Sequence, residues 1–207
     1  MYYHTQDIKY VCYGKIYPPP INTIDQYFLK PYLWLGKYCA YCPQVWLSRS
    51  KSQITGYKNI PKQKNIKCYC NKEPSVMFSF EIIKGFPVDY DTWCYIMSPL
   101  MSCKNPIKDG DNAIEKDLNE ILHDYENGNY VDKLDIDDPL WKWKNSKNIN
   151  DFLNKYLFIE NDQVVVPSLN LKSAKEVFCR NEKQVKMLRR MGFIKDRIKI
   201  LNSKQRV

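Results

Sequence analysis

Two pairs of closely spaced cysteines constrain the fold more than any other feature of this sequence. The first pair reads Cys39-Ala-Tyr-Cys42 and the second reads Cys68-Tyr-Cys70. Four thiolates can hold one Zn²⁺ tetrahedrally at about 2.3 Å, and a two-residue gap lets a tight turn aim two sulfurs at one ion. On a strand, residues two apart project to the same face, so the second pair can share a metal without a turn. The sequence therefore predicts a zinc site formed by Cys39, Cys42, Cys68 and Cys70.

The cysteines also admit two other interpretations. Cysteine is often fully buried, so some of the four are expected to be packing residues if no metal is bound. Redox or disulfide chemistry is the third interpretation, but the N-terminal sequence lacks a signal-peptide pattern, and a reducing compartment favours metal binding by close pairs. We therefore expect an intracellular protein, in the cytoplasm or nucleus, or a component of a virion. The alternative ligands are Cys12, Cys94 and Cys103.

A basic loop separates the two cysteine pairs. Residues 43–67 are rich in Lys, Arg, Ser, Gln and Asn and contain no Asp or Glu. Four protein ligands leave no open position on zinc, so the metal would be structural and would hold both ends of this loop. Basic side chains neutralise phosphates and aromatic rings stack on unpaired bases, although a long surface loop is polar in any case. The candidate nucleic-acid contacts in the loop are Trp46, Arg49, Lys51, Tyr57, Lys58, Lys62, Lys64 and Lys67.

Charge is distributed unevenly along the chain, whose net charge is +9. Residues 37–84 contain nine basic and two acidic residues, and residues 172–206 contain twelve basic and three acidic residues. Between them, residues 109–138 contain two basic and eleven acidic residues. A basic balance favours a polyanionic partner but says nothing about fold. The acidic segment is either an interface for a basic partner or a solvated helix face.

Periodicity and turn residues predict an α+β fold, with a small zinc-stabilised, β-rich N-terminal module packed on a mixed α/β C-terminal part. We assign residues 1–105 to the cysteine-rich basic module, residues 106–150 to an acidic helical connector and residues 151–207 to a basic α/β segment. One continuous domain is the alternative.

Local patterns add three elements to this outline. Residues 76–83 are predicted to be a strand, and residues 110–128 are the clearest amphipathic helix, capped by Asp111 or Asn112. A second helix is predicted to end near Pro99. The aromatic, proline-rich opening, which includes a polyproline II stretch at residues 18–20, is predicted to be a rigid arm that packs its tyrosines on the core. A proline-motif ligand is the alternative for this arm.

The final segment predicts a strand, a helix and a strand, in the order EVFCRN, EKQVKMLRRMG and RIKIL. Asn181 is the expected N-cap, with Gln184 at the capping-box position, and Gly192 is the expected C-cap. Charged outer faces are usual on amphipathic helices, but this one is strongly cationic. The candidate nucleic-acid contacts on its cationic face are Lys186, Arg189 and Arg190.

Together these patterns predict a non-enzymatic, zinc-stabilised protein that binds DNA or RNA. The abundance of Lys, Asn, Ile and Tyr is typical of an AT-rich genome, such as that of a large DNA virus. One alternative is a structural or assembly protein that binds a partner or itself through complementary acidic and basic faces. A second is a metal-dependent nuclease that uses Asp89 and Asp91, or else Asp135, Asp137 and Asp138, but no nucleophile pairs with a base and we assign no catalytic residue. No run of about 18 apolar residues occurs, so no membrane-spanning helix is expected.

Overall fold

A computed structural model of the chain describes residues 1–49, 75–128, 134–161 and 163–200. The chain divides into two compact units. Unit 1 consists of Met1–Tyr17, Val45–Gly85 and Ser168–Val207, and unit 2 consists of Pro18–Gln44 and Phe86–Pro167. The fold is mixed α/β with a mixed sheet, which confirms the predicted combination of helices and strands. A separate zinc-stabilised N-terminal module is not shown.

The elements are numbered here in chain order. The strands are β1 Tyr2–Asp7, β2 Lys15–Ile16, β3 Val45–Ser48, β4 Ser75–Phe80, β5 Phe86–Val88, β6 Gln163–Val166, β7 Leu169–Asn170, β8 Glu176–Cys179 and β9 Ile198–Ile200. The helices are α1 Gln26–Cys39, α2 Tyr90–Ser102, α3 Pro106–Glu126, α4 Pro139–Lys144, α5 Ile149–Phe152 and α6 Glu182–Arg190. A π-helical turn, Leu153–Leu157, continues α5.

Unit 1 is organised around β4, whose residues from Val76 to Phe80 are all buried. This strand pairs antiparallel with β1, in a register that runs from Tyr2 opposite Phe80 to Asp7 opposite Ser75, and antiparallel with β8 on its other side. β1 also pairs antiparallel with β3, and β8 is parallel to β9. α6 is the crossover between β8 and β9, as the strand–helix–strand pattern of the sequence predicts. A short antiparallel ladder joins β2 to β7.

Unit 2 is mainly helical, and α1, α2 and α3 pack against one another. Aromatic residues fill this interior: the ring of Trp34 stacks on that of Phe158, with centroids 6.3 Å apart, and the ring of Tyr38 lies 4.8 Å from Phe158. β5 and β6 pair antiparallel in the same unit. The hydroxyl of Tyr41 joins these two strands, because it donates to the carbonyl of Val165 (2.6 Å) and accepts from the amide of Phe86 (3.1 Å).

Asp111 connects α3 to α1 through three hydrogen bonds. Its Oδ1 accepts from the indole of Trp34 (2.7 Å) and from the hydroxyl of Tyr38 (2.9 Å), and its Oδ2 accepts from the ammonium of Lys37 (2.8 Å). Partial burial alone would raise the pKa of this carboxyl, but the three donors, Lys37 first among them, hold the pKa below its usual value. The ionised form of Asp111 is therefore part of the packing between the two helices.

Several local predictions are wrong in detail. The cap of α3 is Asn105, whose Oδ1 accepts from the amide of Lys108, so this helix begins before the two residues expected to cap it. α2 continues past Pro99 to Ser102. The opening arm becomes α1 from residue 26, and its tyrosines divide: Tyr17 and Tyr27 are 67% and 48% exposed, whereas Tyr13 and Tyr32 contact the buried rings of Phe193 and Trp93. The backbone of Pro20 does adopt polyproline II angles, with φ −57° and ψ 143°.

None of the helices in the described part of the chain is long and apolar enough to cross a membrane.

Replacing Gly110 with alanine is expected to destabilise unit 2. A β-carbon at this position of α3 would collide with Cδ1 of Trp34 and lie 3.0 Å from Cδ2 of Leu100. We expect the free energy of unfolding in urea to fall by about 1–3 kcal/mol, which exceeds the helix-propensity gain of about 1 kcal/mol. The control is Gly14→Ala, where a β-carbon meets nothing within 4 Å. Equal stabilities for the two variants would contradict the close contact at Gly110.

Stability is also expected to depend on pH through Asp111. Because the pKa of this carboxyl is lowered in the folded state, its stabilising contribution is complete above the ordinary carboxyl pKa of about 3.9 and is lost as the pH falls through the lower folded value. Asp111→Asn should therefore lower stability near neutral pH and flatten the acid limb of a plot of unfolding free energy against pH. Asp109→Asn, an exposed residue of the same helix, is the control. An acid limb as steep in Asp111→Asn as in the wild type would refute this role.

Candidate functional site

Of the predicted zinc ligands, the described residues include only the first pair. Cys39 is the last residue of α1 and is buried, and its thiol donates to the carbonyl of Tyr41 at 3.3 Å. Cys42 is half-buried and packs on α1, because a β-carbon at Gly36 would lie only 2.8 Å from the β-carbon of Cys42. Cys68 and Cys70 lie outside the described residues.

Gln44 organises the turn that carries this cysteine pair. Its Nε2 donates to the carbonyls of Tyr41 (2.7 Å) and Tyr32 (3.3 Å) and lies 3.8 Å from the sulfur of Cys39. Its Oε1 is buried and has no hydrogen-bond partner in the described part of the chain. The turn is therefore held mainly by backbone carbonyls, with both thiols close to the end of a helix.

The two thiols are protonated at neutral pH. Burial raises the pKa of Cys39, and burial together with the nearby Cys39 raises the pKa of Cys42 to about 11. The C-terminal end of a helix also disfavours a thiolate, since the helix dipole is negative there. A metal would thus have to displace two protons from this pair. Across the described residues, no group of three or more His, Cys, Asp or Glu side chains could hold a metal ion.

The remaining cysteines divide into two groups. Cys103 and Cys179 are buried, as expected of packing residues, and the thiol of Cys179 points to the carbonyl of Lys199 at 3.6 Å. Cys12 and Cys94 are exposed.

Two of the predicted loop contacts, Trp46 and Arg49, lie in β3 of unit 1 and directly after it. Trp46 is a half-buried residue of β3, and its carbonyl is hydrogen-bonded to Nδ1 of His4 at 3.0 Å. Arg49 donates to the hydroxyl of Tyr2 at 3.1 Å, and its guanidinium lies 5.4 Å from the centre of the Tyr2 ring. Both side chains therefore have contacts within the fold. The other predicted loop contacts lie outside the described residues: Lys51, Tyr57, Lys58, Lys62, Lys64 and Lys67.

The cationic face predicted for the last helix is present in α6. The exposed cations are Lys183, Lys186, Arg189 and Arg190, and none of them forms an ion pair with the described residues. At 3.6 residues per turn these four side chains fall within an arc of about 120°. Gln184 and Leu188 are buried on the other side of the helix. The cations are therefore concentrated on the face that meets solvent.

The ends of α6 follow the predicted capping pattern. Oδ1 of Asn181 accepts from the amide of Gln184 at 3.0 Å, and Oε1 of Gln184 accepts from the amide of Arg180 at 2.6 Å. Gly192, after the helix, has a φ of +105°, which favours glycine. The Asn181 cap and the glycine are both confirmed, whereas Gln184 caps the amide one residue before the predicted partner, that of Arg180 instead of Asn181. They fix α6 without using any of its basic side chains.

Charge is segregated between the two units. The ranges that make up unit 1 contain 22 Lys and Arg against six Asp and Glu, a net charge of +16. Those that make up unit 2 contain ten Lys and Arg against 17 Asp and Glu, a net charge of −7. Among the described residues alone, the unit 1 ranges contain 14 Lys and Arg against five Asp and Glu, and the unit 2 ranges contain nine against 15, so the contrast in charge does not depend on the residues outside the description. The acidic segment lies in unit 2.

An aromatic residue that the sequence patterns did not single out lies among the cations of unit 1. The ring of Tyr13 is 38% exposed, and the ammonium of Lys172 lies 4.9 Å from its centroid. The guanidinium of Arg197 donates to the carbonyls of Lys172 (3.3 Å) and Ala174 (3.2 Å). The ladder between β2 and β7 brings these residues together, which no local signal in the sequence indicates.

Asp89 and Asp91, the carboxylates considered for a nuclease metal, lie at the start of α2. Asp89 is buried, and both of its oxygens have donors: Oδ1 accepts from the amide of Thr92 (2.9 Å) and Oδ2 from Nδ2 of Asn161 (2.8 Å). Asp91 is an exposed residue of the first turn. Helix capping accounts for the position and contacts of Asp89.

No match to this chain was found among protein-family models, curated proteins or solved structures.

Proposed function

We propose that this protein binds nucleic acid through unit 1, without catalysing a reaction. The observation that carries the proposal is the segregation of charge, which gives unit 1 a net charge of +16 while unit 2 carries −7. A surface of this kind attracts a polyanion and releases the counterions bound to it. Its low content of carboxylates leaves little within the unit to neutralise the cations.

α6 supplies the best-defined contact surface for this function. Its four exposed cations occupy one side of a helix whose ends and buried face are held by Asn181, Gln184 and Leu188. Because no carboxylate of the described residues pairs with these cations, binding a phosphate would not require an existing ion pair to break. Arg in addition offers two parallel donors to one phosphate.

The proposal predicts a specific loss in a triple alanine variant of α6. Lys186→Ala, Arg189→Ala and Arg190→Ala together should weaken binding of a labelled oligonucleotide and reduce the slope of log affinity against log salt concentration by about 3. Fluorescence anisotropy over a range of salt concentrations measures both effects. Alanine is a strong helix former, so α6 should remain helical in this variant. Circular dichroism checks that the helical content is unchanged.

The matched control removes the same number of charges from unit 2. Lys104, Lys108 and Lys147 are exposed there, and their replacement by alanine should leave the salt slope unchanged. Equal losses in the two triple variants would mean that net charge alone, and not the α6 surface, determines binding. Binding that does not weaken with salt in the wild type would overturn the proposal itself.

The same charge segregation favours a second candidate function, assembly of copies through unit 1 of one chain and unit 2 of another. Opposite net charges attract over about 10 Å at 0.1 M salt and less at higher salt. Sedimentation velocity without nucleic acid separates the two functions. Salt-sensitive oligomers of the wild type support assembly, and a monomer at all salt concentrations supports the nucleic-acid function.

We also propose that a structural zinc ion joins Cys39 and Cys42 to Cys68 and Cys70. The support is the sequence spacing and the placement of the first two cysteines, one at the end of α1 and the other in the turn that follows it. Protons compete with the metal for these thiols, because burial keeps their pKa values above the usual range. Zinc would then hold the ends of the basic segment between the pairs.

Metal content tests this zinc site directly. Mass spectrometry should find about one zinc per chain in the wild type and in Cys94→Ser, and none in Cys39→Ser or Cys68→Ser. Zinc should also be released as the pH is lowered. Cys94, an exposed residue, is one of the alternative ligands, and loss of zinc in Cys94→Ser would assign a ligand to it in place of one of the four. Full zinc content in both ligand variants, or zinc-free wild type prepared without chelator, would rule out the four-cysteine site.

A further inference from the structure

Tyr13 is held rigidly by the interior of unit 1. Its ring meets the ring of Phe193 edge to face, with centroids 4.9 Å apart and an interplanar angle of 81°. Phe193 is buried and lies 5.7 Å from Phe78 of the central strand β4. Gly192 allows a close approach from α6, since a β-carbon there would be 3.1 Å from Cδ1 of Tyr13. The orientation of the ring is thus fixed before any ligand binds.

The backbone that carries Tyr13 is also fixed. The amide of Leu171 donates to the carbonyl of Gly14 at 2.8 Å, and Lys15 and Ile16 of β2 pair with β7. A ring held in this way loses little conformational entropy when it receives a ligand. Tyr13 is therefore a surface residue, 38% exposed, whose ring is held in place by its neighbours.

One cation lies over this ring, and further cations belong to the segments that hold it. The ammonium of Lys172 lies over it at 4.9 Å, and Arg197 fixes the backbone of Lys172 through its carbonyl. Gly192, where an added β-carbon would lie 3.1 Å from Cδ1 of the ring, follows Arg189 and Arg190 at the end of the cationic face of α6. Neither Lys172 nor Arg197 forms an ion pair with a carboxylate of the described residues. An aromatic ring among unneutralised cations is the arrangement that binds single-stranded nucleic acid.

We propose that unit 1 binds single-stranded nucleic acid in preference to duplex, with an unpaired base stacked on Tyr13 and its backbone along α6. This inference rests on the proposed nucleic-acid function. When a base occupies the ring, the flexible ammonium of Lys172 moves from the ring to a neighbouring phosphate. Bases of a duplex are stacked and paired with one another, so they cannot use this ring without being unpaired.

Three variants test the stacking contact. Tyr13→Ala should weaken binding of labelled oligothymidylate by about tenfold, while the salt slope stays unchanged because no charge is removed. Binding of a labelled duplex of the same length should change by less than about twofold, since duplex contacts are to phosphates. Tyr13→Phe keeps the aromatic face and should bind like the wild type.

Tyr10→Ala is the matched control. Tyr10 is 65% exposed and also has a lysine ammonium 4.9 Å from its ring centroid, but that lysine, Lys9, pairs with Asp7 at 3.2 Å. Its removal should leave single-strand affinity unchanged. A tenfold loss in Tyr10→Ala equal to that in Tyr13→Ala would show a general aromatic effect and overturn the assignment to Tyr13.

A crosslinking experiment tests the same contact in the wild-type protein, so it does not depend on the folding of a variant. An oligothymidylate containing 5-iododeoxyuridine should crosslink on irradiation to the peptide that contains Tyr13, as mapped by mass spectrometry. Crosslinks confined to other peptides, or equal affinity for single strand and duplex with no effect of Tyr13→Ala, would overturn this inference and leave the nucleic-acid function standing. Absence of salt-dependent binding to either oligonucleotide would overturn the function itself.

Discussion

The pairing of β4 with strands on both of its sides is the interaction on which unit 1 depends. β4 joins the N-terminal segment through β1 and the C-terminal segment through β8. Side chains support the second pairing, since Oγ of Ser79 accepts from the amide of Glu176 and the carbonyl of Ser79 accepts from the amide of Lys175. Because β1 and β8 meet at this one strand, described cations from both sides of the acidic segment, among them Arg49 and those of α6, belong to one unit. The concentration of charge is thus a consequence of strand order.

Elements whose signals are local were predicted well. The β4 strand, the strand–helix–strand order at the C-terminus and the Asn181 cap of α6 depend only on residues within a few positions of each other. α1 was missed because proline and dense aromatic residues resemble an extended arm. Its interior Pro31 is nevertheless buried within the helix, whose start is capped by Asp25. Packing of its apolar face outweighs the hydrogen bond that proline removes.

Features that depend on long-range pairing were not predicted. The segments proposed from sequence, residues 1–105, 106–150 and 151–207, are continuous, whereas each unit of the structure combines separate stretches. Asp111 was expected to cap a helix, but it accepts hydrogen bonds from three residues of α1, a contact that no local pattern indicates. The role of Tyr13 is not visible in the sequence for the same reason. Its neighbours Lys172 and Phe193 come from the other end of the chain.

The stability of α6 does not depend on ion pairs between its basic side chains and the described residues. The caps formed by Asn181 and Gln184 and the buried Leu188 hold the helix, and the four basic side chains make no ion pair with the described residues. Like charges on one face repel, although Arg189 and Arg190 in the last turn also interact favourably with the helix dipole. A helix needs a polar outer face, but Gln, Ser or balanced charges would meet that need equally well. The same face carries one acidic residue of α6, the exposed Glu182, so its excess of positive charge is a property that the fold does not require and that the proposed polyanionic partner would use.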